Sequence, residues 1–306
     1  MHGYDLLVVG SANADLVIGV DRRPGAGETV LGSGLSVHPG GKGANQAVAA
    51  ARLGARVALL ARVGADAHGE LLLESQRAAG VDTVGVLVGD GPTGVAVITV
   101  DGAGDNSIVV SPGANARLAP QDIRAAGSLL AAARVVSVQL EIPAETVAEV
   151  TRSLAPGARL VLNASPPAAL APEVLAACDP LVVNEHEALA LLGGHPAGDS
   201  TDPGTWASAL LSRGPRSVVV TLGAAGALAA GRHGTFTVPA PRVTVVDTTG
   251  AGDAFTGALA WRLSTGDGLE AAVRYAVRVG AAACAGAGAQ SSFPRAGDAE
   301  GLGEGP

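Results

Sequence analysis

Two glycine-rich segments of the sequence place backbone N–H groups beside side chains that could do chemistry. Residues 39–46 read Pro-Gly-Gly-Lys-Gly-Ala-Asn-Gln, and residues 247–255 read Asp-Thr-Thr-Gly-Ala-Gly-Asp-Ala-Phe. Each segment is a glycine turn that opens a predicted helix, and a helix N-terminus offers exposed N–H groups and a partial positive charge. The two turns therefore predict a site for developing negative charge, with Lys42 and Asn45 beside one turn and Asp253 beside the other.

Asp253 stands in the first turn of the second predicted helix and has two interpretations. It could be a helix-capping residue that accepts backbone N–H bonds, which is the common structural role of an aspartate at such a position. It could instead belong to the charge-binding site itself. Capping leaves unexplained Asp247, six residues earlier, and the small residues that lie between the two.

Two common nucleotide-binding motifs are excluded. The first strand-like run is followed by Gly-Ser-Ala-Asn-Ala-Asp at residues 10–15, which lacks the Gly-x-Gly-x-x-Gly pattern of a dinucleotide-binding turn. Lys42 is followed by Gly43 rather than by Ser or Thr, so the first glycine turn is not a Walker A loop. The sequence therefore argues against a nicotinamide enzyme and against a P-loop protein.

Charge and composition narrow the classes of partner. The 306 residues include 20 Lys+Arg and 28 Asp+Glu, and the net charge of −8 argues against nucleic acid or an anionic membrane as a partner. Aromatic residues make up 2% of the chain, which leaves little to stack on exposed bases. Lys42 is the only lysine in the sequence.

Cysteine, histidine and hydropathy patterns point to a compartment. Two cysteines and six scattered histidines predict neither a disulfide framework nor a zinc site. The N-terminal residues lack the basic region of a signal peptide, and no apolar run reaches the roughly 20 residues of a membrane span. We expect a soluble, cytoplasmic, globular protein.

Short apolar runs alternate with Ala- and Leu-rich segments at helical spacing along most of the chain. The runs are continuously apolar, as are parallel strands that are covered on both faces. The pattern predicts an α/β layered fold with a mostly parallel sheet. The predicted strands are 6–10, 56–62, 134–140, 159–163, 181–184 and 217–222, and the predicted helices are 44–53, 69–79, 120–132, 143–154, 185–192, 203–212, 254–263 and 269–284.

Two stretches, residues 15–37 and 93–111, interrupt this alternation. They contain β-type pieces at 16–18, 29–31, 95–100 and 107–110, separated by Gly, Pro and Asp turns. These pieces alternate between apolar and polar residues better than the other strands do, which suits a separate small sheet with one exposed face. Edge hairpins of the main sheet would give the same pattern, and the sequence leaves the two arrangements open.

Seven motifs in the chain together resemble the ribokinase family of sugar kinases. They occur in the family's order and span residues 8 to about 294. The motifs are Val-Gly-Ser-Ala-Asn-Ala-Asp at 9–15, Gly-Gly-Lys-Gly-Ala-Asn-Gln-Ala-Val-Ala-Ala at 40–50, Pro-Gly-Ala-Asn at 112–115, Gln-Leu-Glu at 139–141, Asn-Glu-His-Glu at 184–187, Thr-Leu-Gly at 221–223 and Val-Asp-Thr-Thr-Gly-Ala-Gly-Asp at 246–253.

The resemblance implies ATP-dependent phosphorylation of the 5-hydroxyl of D-ribose. A furanose offers vicinal hydroxyls, which carboxylates and amides can bind. By the family match, Asp253 is the general base, and the N–H groups of Gly250, Ala251 and Gly252 stabilise the transferring phosphoryl group. The implied sugar shell consists of Asn13, Asp15, Gly41, Lys42, Gly43, Asn45, Glu141 and Asp253.

The resemblance also implies ATP, Mg²⁺ and a monovalent cation. Glu187 is associated with placing Mg²⁺, through water, because Mg²⁺ keeps much of its hydration; its alternative is a solvated helix face. The implied ATP site consists of Asn184, Glu187, Thr221, Gly223, Gly226 and Gly252. The implied K⁺ ligands, mainly carbonyl oxygens, come from Asp247, Thr249, Ala283, Gly286, Gly288 and Ser292.

The family fold is a three-layer αβα sandwich around a mostly parallel sheet, with a small β-sheet as a lid. On this chain the resemblance implies a single domain over residues 1–295, lid segments at about 14–38 and 92–111, and a flexible tail at 296–306. The lid often pairs between subunits in the family, and an exposed flat sheet edge favours a homodimer.

Three positions depart from the family pattern or stand without a role. Asn163 belongs to Asn-Ala-Ser where the family usually has Asn-Pro-Ala, and Val277 stands near the expected adenine position, where relatives often carry a polar residue. His38 could touch the substrate or belong to the lid.

The substrate could also be 2-deoxyribose, a nucleoside such as uridine or pseudouridine, or a ketohexose. A sugar-binding regulator without catalysis is the alternative outside the enzymes.

Overall fold

Runs of Val, Leu and Ile form the central sheet of the computed structural model, which describes residues 3–102, 105–194, 201–298 and 301. The strands are β1 Tyr4–Val9, β2 Asn13–Gly19, β3 Ser36–Gly40, β4 Val57–Gly64, β5 Asp82–Gly89, β6 Gly94–Val100, β7 Asn106–Ser111, β8 Ala133–Gln139, β9 Arg159–Asn163, β10 Cys178–Asn184, β11 Ser217–Thr221, β12 Ala227–Gly231 and β13 Gly234–Val238. The helices are α1 Lys42–Arg52, α2 Ala67–Ala78, α3 Pro120–Ala125, α4 Gly127–Ala132, α5 Ala144–Arg152, α6 Pro172–Ala177, α7 Glu185–Leu191, α8 Pro203–Leu211, α9 Ala251–Ser264 and α10 Leu269–Ala283.

Nine strands form the large sheet, in the order β13-β12-β11-β10-β9-β8-β1-β4-β5. The strands from β11 to β5 are parallel, and β12 and β13 add an antiparallel edge. One core packs α1, α2, α9 and α10 against one face, and a second core packs α3 to α8 against the other. The predicted mostly parallel sheet between two helix layers is therefore confirmed.

The four remaining strands form a separate sheet in the order β3-β2-β6-β7. Strands β2 and β6 are parallel, and the outer pairs are antiparallel. This sheet settles the alternative left open by the sequence in favour of a separate small sheet. The predicted β piece at 29–31 was wrong: the chain there makes only an isolated bridge between Val20 and Gly32, and Leu31 is exposed with no face to pack against.

Several element predictions needed correction. The predicted helix 120–132 is two short helices, because Ala126 leaves the helical region and Gly127 follows it. Strands β3, β5, β12 and β13 and helix α6 were not predicted. Strand β12 reads Ala-Leu-Ala-Ala-Gly, a composition that does not favour a strand, and it becomes one through pairing with β11 and β13.

The carboxyl ends of β1, β8, β9, β10 and β11 lie at one edge of the large sheet, because parallel neighbours end on the same side. Every strand-end motif singled out in the sequence is therefore carried to this edge, and the small sheet begins there as β1 continues into β2. Part of the predicted tail, residues 299–300 and 302–306, lies outside the described residues. Within the described residues, no helix combines the length and apolar character that a membrane crossing needs.

Candidate active site

Asn13 and Asp15 lie on one face of the small sheet, since residues two apart in a strand point to the same side. Asn13 is buried, and its Oδ1 accepts a hydrogen bond from Asn115 Nδ2 at 2.7 Å. Asn115 is itself held by the backbone of Ala12, whose N–H donates to its Oδ1 at 3.0 Å. Asn115 therefore holds Asn13 through its side-chain oxygen, an orienting role that the sequence did not assign to Asn115.

Asp15 occupies a crowded and acidic position. Burial, followed by the nearby carboxylates of Glu141 and Asp253, raises the pKa of Asp15 to about 7. Gly40 packs against this side chain so closely that a Cβ there would lie 2.1 Å from Asp15 Oδ2. His38 is directly opposite Asp15 in the β2–β3 register, is exposed, and shares a hydrogen bond with Ser36 Oγ at 3.0 Å.

The first glycine turn packs against the end of β1. Gly41 has φ +88° at the start of α1, and a Cβ on it would lie 2.6 Å from the N atom of Asn13. A Cβ on Gly43 would lie 2.7 Å from the N atom of Ser11. These glycines thus permit a close approach between two protein segments. Glu141 Oε2 links this turn to the residue segment after β1, because it accepts hydrogen bonds from Lys42 N at 3.1 Å and from Ser11 Oγ.

Asp253 is buried in the first turn of α9 and is not its cap. Helix α9 starts at Ala251, three residues before the predicted start at 254, because Gly250 adopts the left-handed conformation there with φ +76°. The Asp253 carboxylate instead accepts from Asn45 Nδ2 at 2.9 Å and from Gln46 Nε2 at 3.2 Å. Burial raises the pKa of Asp253 in spite of Lys42 and these two amides, which favour the charged form.

The three predicted anion-hole donors are not equivalent. The N–H of Ala251 donates to the Thr248 carbonyl at 3.2 Å, which closes the turn into the helix. Gly252 is exposed and lies on the wall of the cavity that also holds Asp253. Gly250 borders the same cavity, so the two glycines carry most of the donor capacity at this helix start.

A small cavity of about 140 Å³ lies in front of Asp253. The cavity is bordered by Lys42, Asn184 and Glu187. The sequence assigned Lys42 to the sugar shell, but here it lines the same cavity as two predicted ATP residues. Burial works against its charge, but the carboxylates of Asp253, Glu141 and Glu187 outweigh burial and hold the pKa of Lys42 above its usual value. The remaining lining residues are Asn163, Ser165, Val182, Val183, Thr221, Gly250, Gly252 and Thr256.

Asn184 and Glu187 cap α7 reciprocally. Asn184 N donates to Glu187 Oε2 and Glu187 N donates to Asn184 Oδ1, both at 2.8 Å. Glu187 is buried beside the cavity, so a solvated helix face was the wrong alternative. These two reciprocal hydrogen bonds fix one carboxylate oxygen of Glu187 and hold its carboxylate at the cavity wall.

A larger cavity of about 560 Å³ adjoins this one, with Thr221 and Gly252 bordering both. The predicted ATP residues Gly223 and Gly226 line it. Gly226 has φ +96°, and a Cβ there would lie 2.0 Å from the Val238 carbonyl oxygen. Apolar side chains, among them Val277 and Phe255, form much of its wall.

The predicted cation ligands lie in two segments that Asp247 holds together. Asp247 Oδ1 accepts from Thr249 N and Thr249 Oγ1 at 2.8 and 2.7 Å, and Oδ2 accepts from Gly288 N at 2.8 Å. Burial opposes the charge of Asp247, but these donors lower its pKa. Gly286 packs against Ser292, and the Ala283 carbonyl accepts from Gly286 N at 3.4 Å.

The structure places two further buried polar groups behind Asp253 that sequence reasoning missed, Gln46 and Gln139, beside Asn163, which the sequence singled out without a role. Gln46 and Gln139 stand inside quoted motifs, which is the one signal that could have singled them out. No cluster of three or more His, Cys, Asp or Glu side chains suited to a metal ion occurs among the described residues.

Known proteins that are similar to this chain are carbohydrate kinases. The profile of the pfkB family of carbohydrate kinases matches residues 4–296. The chain is 38% identical over 300 residues to a ribokinase of Bacillus subtilis, covering 97% of this chain and 99% of the relative. It is 37% identical over 294 residues to a deoxyribokinase of Salmonella typhi, covering 95% of each. A solved structure of Arabidopsis thaliana ribokinase complexed with ribose and ATP has a TM-score of 0.85 at 31% identity, over 96% of this chain and 97% of that chain.

Proposed function

The chain belongs to the pfkB family of carbohydrate kinases, and from that premise we propose that it transfers the γ-phosphoryl group of ATP to the 5-hydroxyl of D-ribose. One observation carries the proposal. Asp253 is a buried carboxylate at a helix start, held by two amide donors, between the acidic sugar-side shell and the cavities on the nucleotide side. The relatives named ribokinase, and the one solved with ribose and ATP, support this choice of substrates.

In the proposed reaction, the 5-hydroxyl oxygen attacks the γ-phosphorus while its proton passes to the Asp253 carboxylate. The bond from the γ-phosphorus to the β–γ bridging oxygen breaks, and ADP leaves with that electron pair. Phosphoryl transfer depends on positioning and on stabilising the developing charge. The N–H groups of Gly250 and Gly252, with a smaller part for Ala251, supply that stabilisation at the start of α9.

Sugar recognition is proposed for the shell around Asp15. The carboxylates of Asp15 and Glu141 and the amide of Asn13 offer acceptors and donors for vicinal hydroxyls. Asn45 donates one amide N–H to Asp253 and accepts at Oδ1 from Gln290 Nε2 at 3.0 Å, which leaves a second N–H for substrate. Gly41 and Gly43 shape the floor of this shell through their contact with the end of β1.

ATP is proposed to occupy the 560 Å³ cavity, with its base against the apolar wall and its phosphates toward Gly252 and Lys42. Asn184, Thr221, Gly223 and Gly226 line the path between the two ends. Mg²⁺ would be held beside Glu187, a buried carboxylate on the wall of the small cavity, because Mg²⁺–phosphate sites use one or two protein carboxylates. Bound there, Mg²⁺ would neutralise phosphate charge, and Lys42 would add a fixed positive charge from the protein.

A monovalent cation is proposed next to the second glycine turn. Its candidate ligands are the oxygens of Asp247, Thr249, Ala283, Gly286, Gly288 and Ser292. The fit rests on Asp247, which draws the 247–249 and 286–292 segments together through bonds to Thr249 and Gly288. K⁺ held there would add positive charge behind the anion hole.

A deoxyribose kinase is the second candidate, since the deoxyribokinase of Salmonella typhi is nearly as similar as the ribokinase of Bacillus subtilis. An assay of ADP release with D-ribose, 2-deoxyribose, D-fructose, uridine, pseudouridine and adenosine, each with K⁺ or with Na⁺ alone, separates the candidates. We expect the highest kcat/KM with D-ribose and a faster rate with K⁺. A higher kcat/KM with another acceptor would make that compound the proposed substrate in place of D-ribose. If none of these compounds led to ADP release, the result would favour a sugar-binding regulator without catalysis.

The Asp253→Asn variant tests the base directly. A general base contributes about 10² to 10⁴-fold, so kcat is expected to fall by that order while calorimetry shows ribose and ATP still binding. Turnover near the wild-type rate would show that Asp253 is not the base.

We also propose that the small sheet is the lid predicted at 14–38 and 92–111, of which residues 103–104 lie outside the described residues. Two subunits are proposed to pair through this sheet. Strand β7 at the edge of the small sheet exposes Ile108, Val109 and Val110. An apolar edge strand offers unpaired backbone groups and apolar surface to a second copy.

A further inference from the structure

Gln46 is a fully buried amide on α1 that contacts the proposed base from inside the protein. Its side chain is 0% exposed, so no substrate can reach it. Gln46 Nε2 donates to Asp253 Oδ1 at 3.2 Å and to Asn163 Oδ1 at 3.2 Å. Neither Gln46 nor Asn163 has a role in the proposed reaction so far.

The orientation of the Gln46 amide is set by two donors at the end of β8. Ser137 Oγ donates to Gln46 Oε1 at 2.9 Å, and Gln139 Nε2 donates to the same oxygen. Because Oε1 is held by these donors, the NH₂ group must face Asp253 and Asn163. Asn163, at the end of β9, is in turn fixed by donating to the Val182 carbonyl at 3.3 Å.

The network leaves Asp253 with one donor on each oxygen. Gln46 serves Oδ1 and Asn45 serves Oδ2, so the plane of the carboxylate is fixed while each oxygen keeps a lone pair for a further bond. Both donors favour the charged carboxylate and lower the pKa of Asp253 against the larger effect of burial.

We propose that Gln46, oriented by Ser137 and Gln139, is a positioning residue that holds the Asp253 carboxylate where it takes the proton of the substrate hydroxyl. The inference rests on the proposed function, since it assigns a helper to the proposed base. The proposal also assigns a role to Asn163, which is the second acceptor for the Gln46 amide and helps to fix its orientation.

Gln46→Met removes the donor and keeps a side chain of similar length. We expect kcat to fall about 10- to 100-fold, a part of what a general base contributes. The KM values for sugar and ATP should stay within about twofold. The acid limb of the kcat–pH profile should move to higher pH, because loss of a donor to the carboxylate disfavours its charged form.

The charged groups around Asp253 are left unchanged by this substitution. They are Lys42 on α1, Glu141 after β8, Asp15 on β2 and Glu187 at the start of α7. A shift of the acid limb therefore reports the lost amide.

Gln76→Met is the matched control. Gln76 is 1% exposed on α2, and neither of its amide atoms has a partner within the part of the chain that the structure describes. The same exchange at the same burial should leave kcat and its pH profile at the wild-type values. Ser137→Ala is the second test variant, since it removes one donor that orients Gln46 and should move kcat and the acid limb in the same direction by a smaller factor.

The outcomes separate this inference from the function on which it rests. In the first outcome, Asp253→Asn loses turnover while Gln46→Met keeps both kcat and the acid limb of the pH profile. The function then stands and the inference is overturned. Ser137→Ala takes the place of Gln46→Met in this comparison where Gln46→Met fails to fold. A fall in kcat without any shift of the acid limb also overturns the inference, because a structural role alone would give that result. If Asp253→Asn keeps its turnover, the base assignment and the inference fail together.

Discussion

Asp15 is the residue whose ionisation should be visible in sugar binding. Burial and the carboxylates of Glu141 and Asp253 raise its pKa to about 7 in the sugar-free protein. The charged form accepts hydrogen bonds from two hydroxyls, whereas the protonated form loses acceptor capacity. Sugar should therefore bind more weakly as pH falls through 7, by about tenfold between pH 8 and pH 6, with release of a proton on binding.

Calorimetry in buffers of different ionisation enthalpy measures both the dissociation constant and the released proton. Binding is read without turnover, so the titration of Asp253 as a base does not enter through kcat. In Asp15→Asn the affinity should be weak and nearly independent of pH. A wild-type dissociation constant that is flat from pH 6 to 8 would contradict the assignment.

Lys42, the only lysine in the chain, contributes a compact ammonium group to a small cavity. A planar guanidinium needs more room and directs its donors differently. Because misplacement by about 1 Å can cost about 10²-fold in rate, we expect Lys42→Arg to lower kcat/KM for ATP by roughly 10- to 100-fold. Steady-state kinetics with ATP varied at saturating sugar measures the change.

Arg56→Lys is the control for that exchange. Arg56 is exposed and pairs with Asp5 on the surface, where solvent screens the charges and an ion pair contributes little to stability. The Arg56→Lys variant should therefore leave kcat/KM for ATP unchanged. Wild-type activity in Lys42→Arg would mean that charge alone, rather than the shape of the ammonium, is needed at this position.

At the scale of elements, the contact between α1 and the end of β1 positions both Lys42 and Glu141. A Cβ on Gly43 would lie 2.7 Å from Ser11 N and 2.8 Å from the Gly10 carbonyl carbon, so the helix would have to move away from the strand. Overpacking of this kind costs about 1 to 3 kcal/mol. We expect Gly43→Ala to lower the free energy of unfolding by that amount and to reduce kcat, as measured by urea unfolding and ADP release.

Gly127→Ala provides the matched comparison, because it adds the same methyl group to a helical glycine. Nothing lies within 4 Å of a Cβ at Gly127, and alanine is favoured over glycine in a helix by about 1 kcal/mol. This variant should be as stable as the wild type or slightly more stable, with unchanged kcat. Equal behaviour of the two variants would contradict a tight α1–β1 contact.

At the scale of the whole molecule, the small sheet has an exposed edge that the proposed dimer would cover. Val109 on β7 is 70% exposed, and Val84 on β5, at the edge of the large sheet, is 69% exposed. A lysine on an edge strand disfavours pairing with another strand. Val109→Lys should therefore convert the dimer to a monomer, and Val84→Lys should not.

Sedimentation or light scattering distinguishes the 29.8 kDa monomer from a dimer of twice that mass. A monomeric wild type, or dimers in both variants, would show that β7 is not the interface. Activity measured in parallel tells whether the lid functions without a partner.

Much of the fold and site could be predicted because the signals are local. Continuous apolar runs indicated parallel strands, and glycine turns before helices indicated an anion site, since both depend on neighbours in the sequence. The motifs at 40–50 and 246–253 indicated the family and brought Asp253 and Lys42 into the predicted site. Strand β12, by contrast, has an alanine-rich sequence and is a strand only because β11 and β13 lie beside it.

The sequence by itself thus determined the fold class, the family and the two glycine turns that lie at the candidate active site. Only the tertiary structure decided which buried polar groups meet. Gln46 and Asp253 are 207 residues apart, yet they are joined because α1 and α9 pack on the same face of a sheet. Lys42 borders the nucleotide-side cavity for a similar reason, since the ends of β9, β10 and β11 converge opposite it. Such contacts depend on strand order and helix packing, which bring distant segments together and leave no local pattern in the chain.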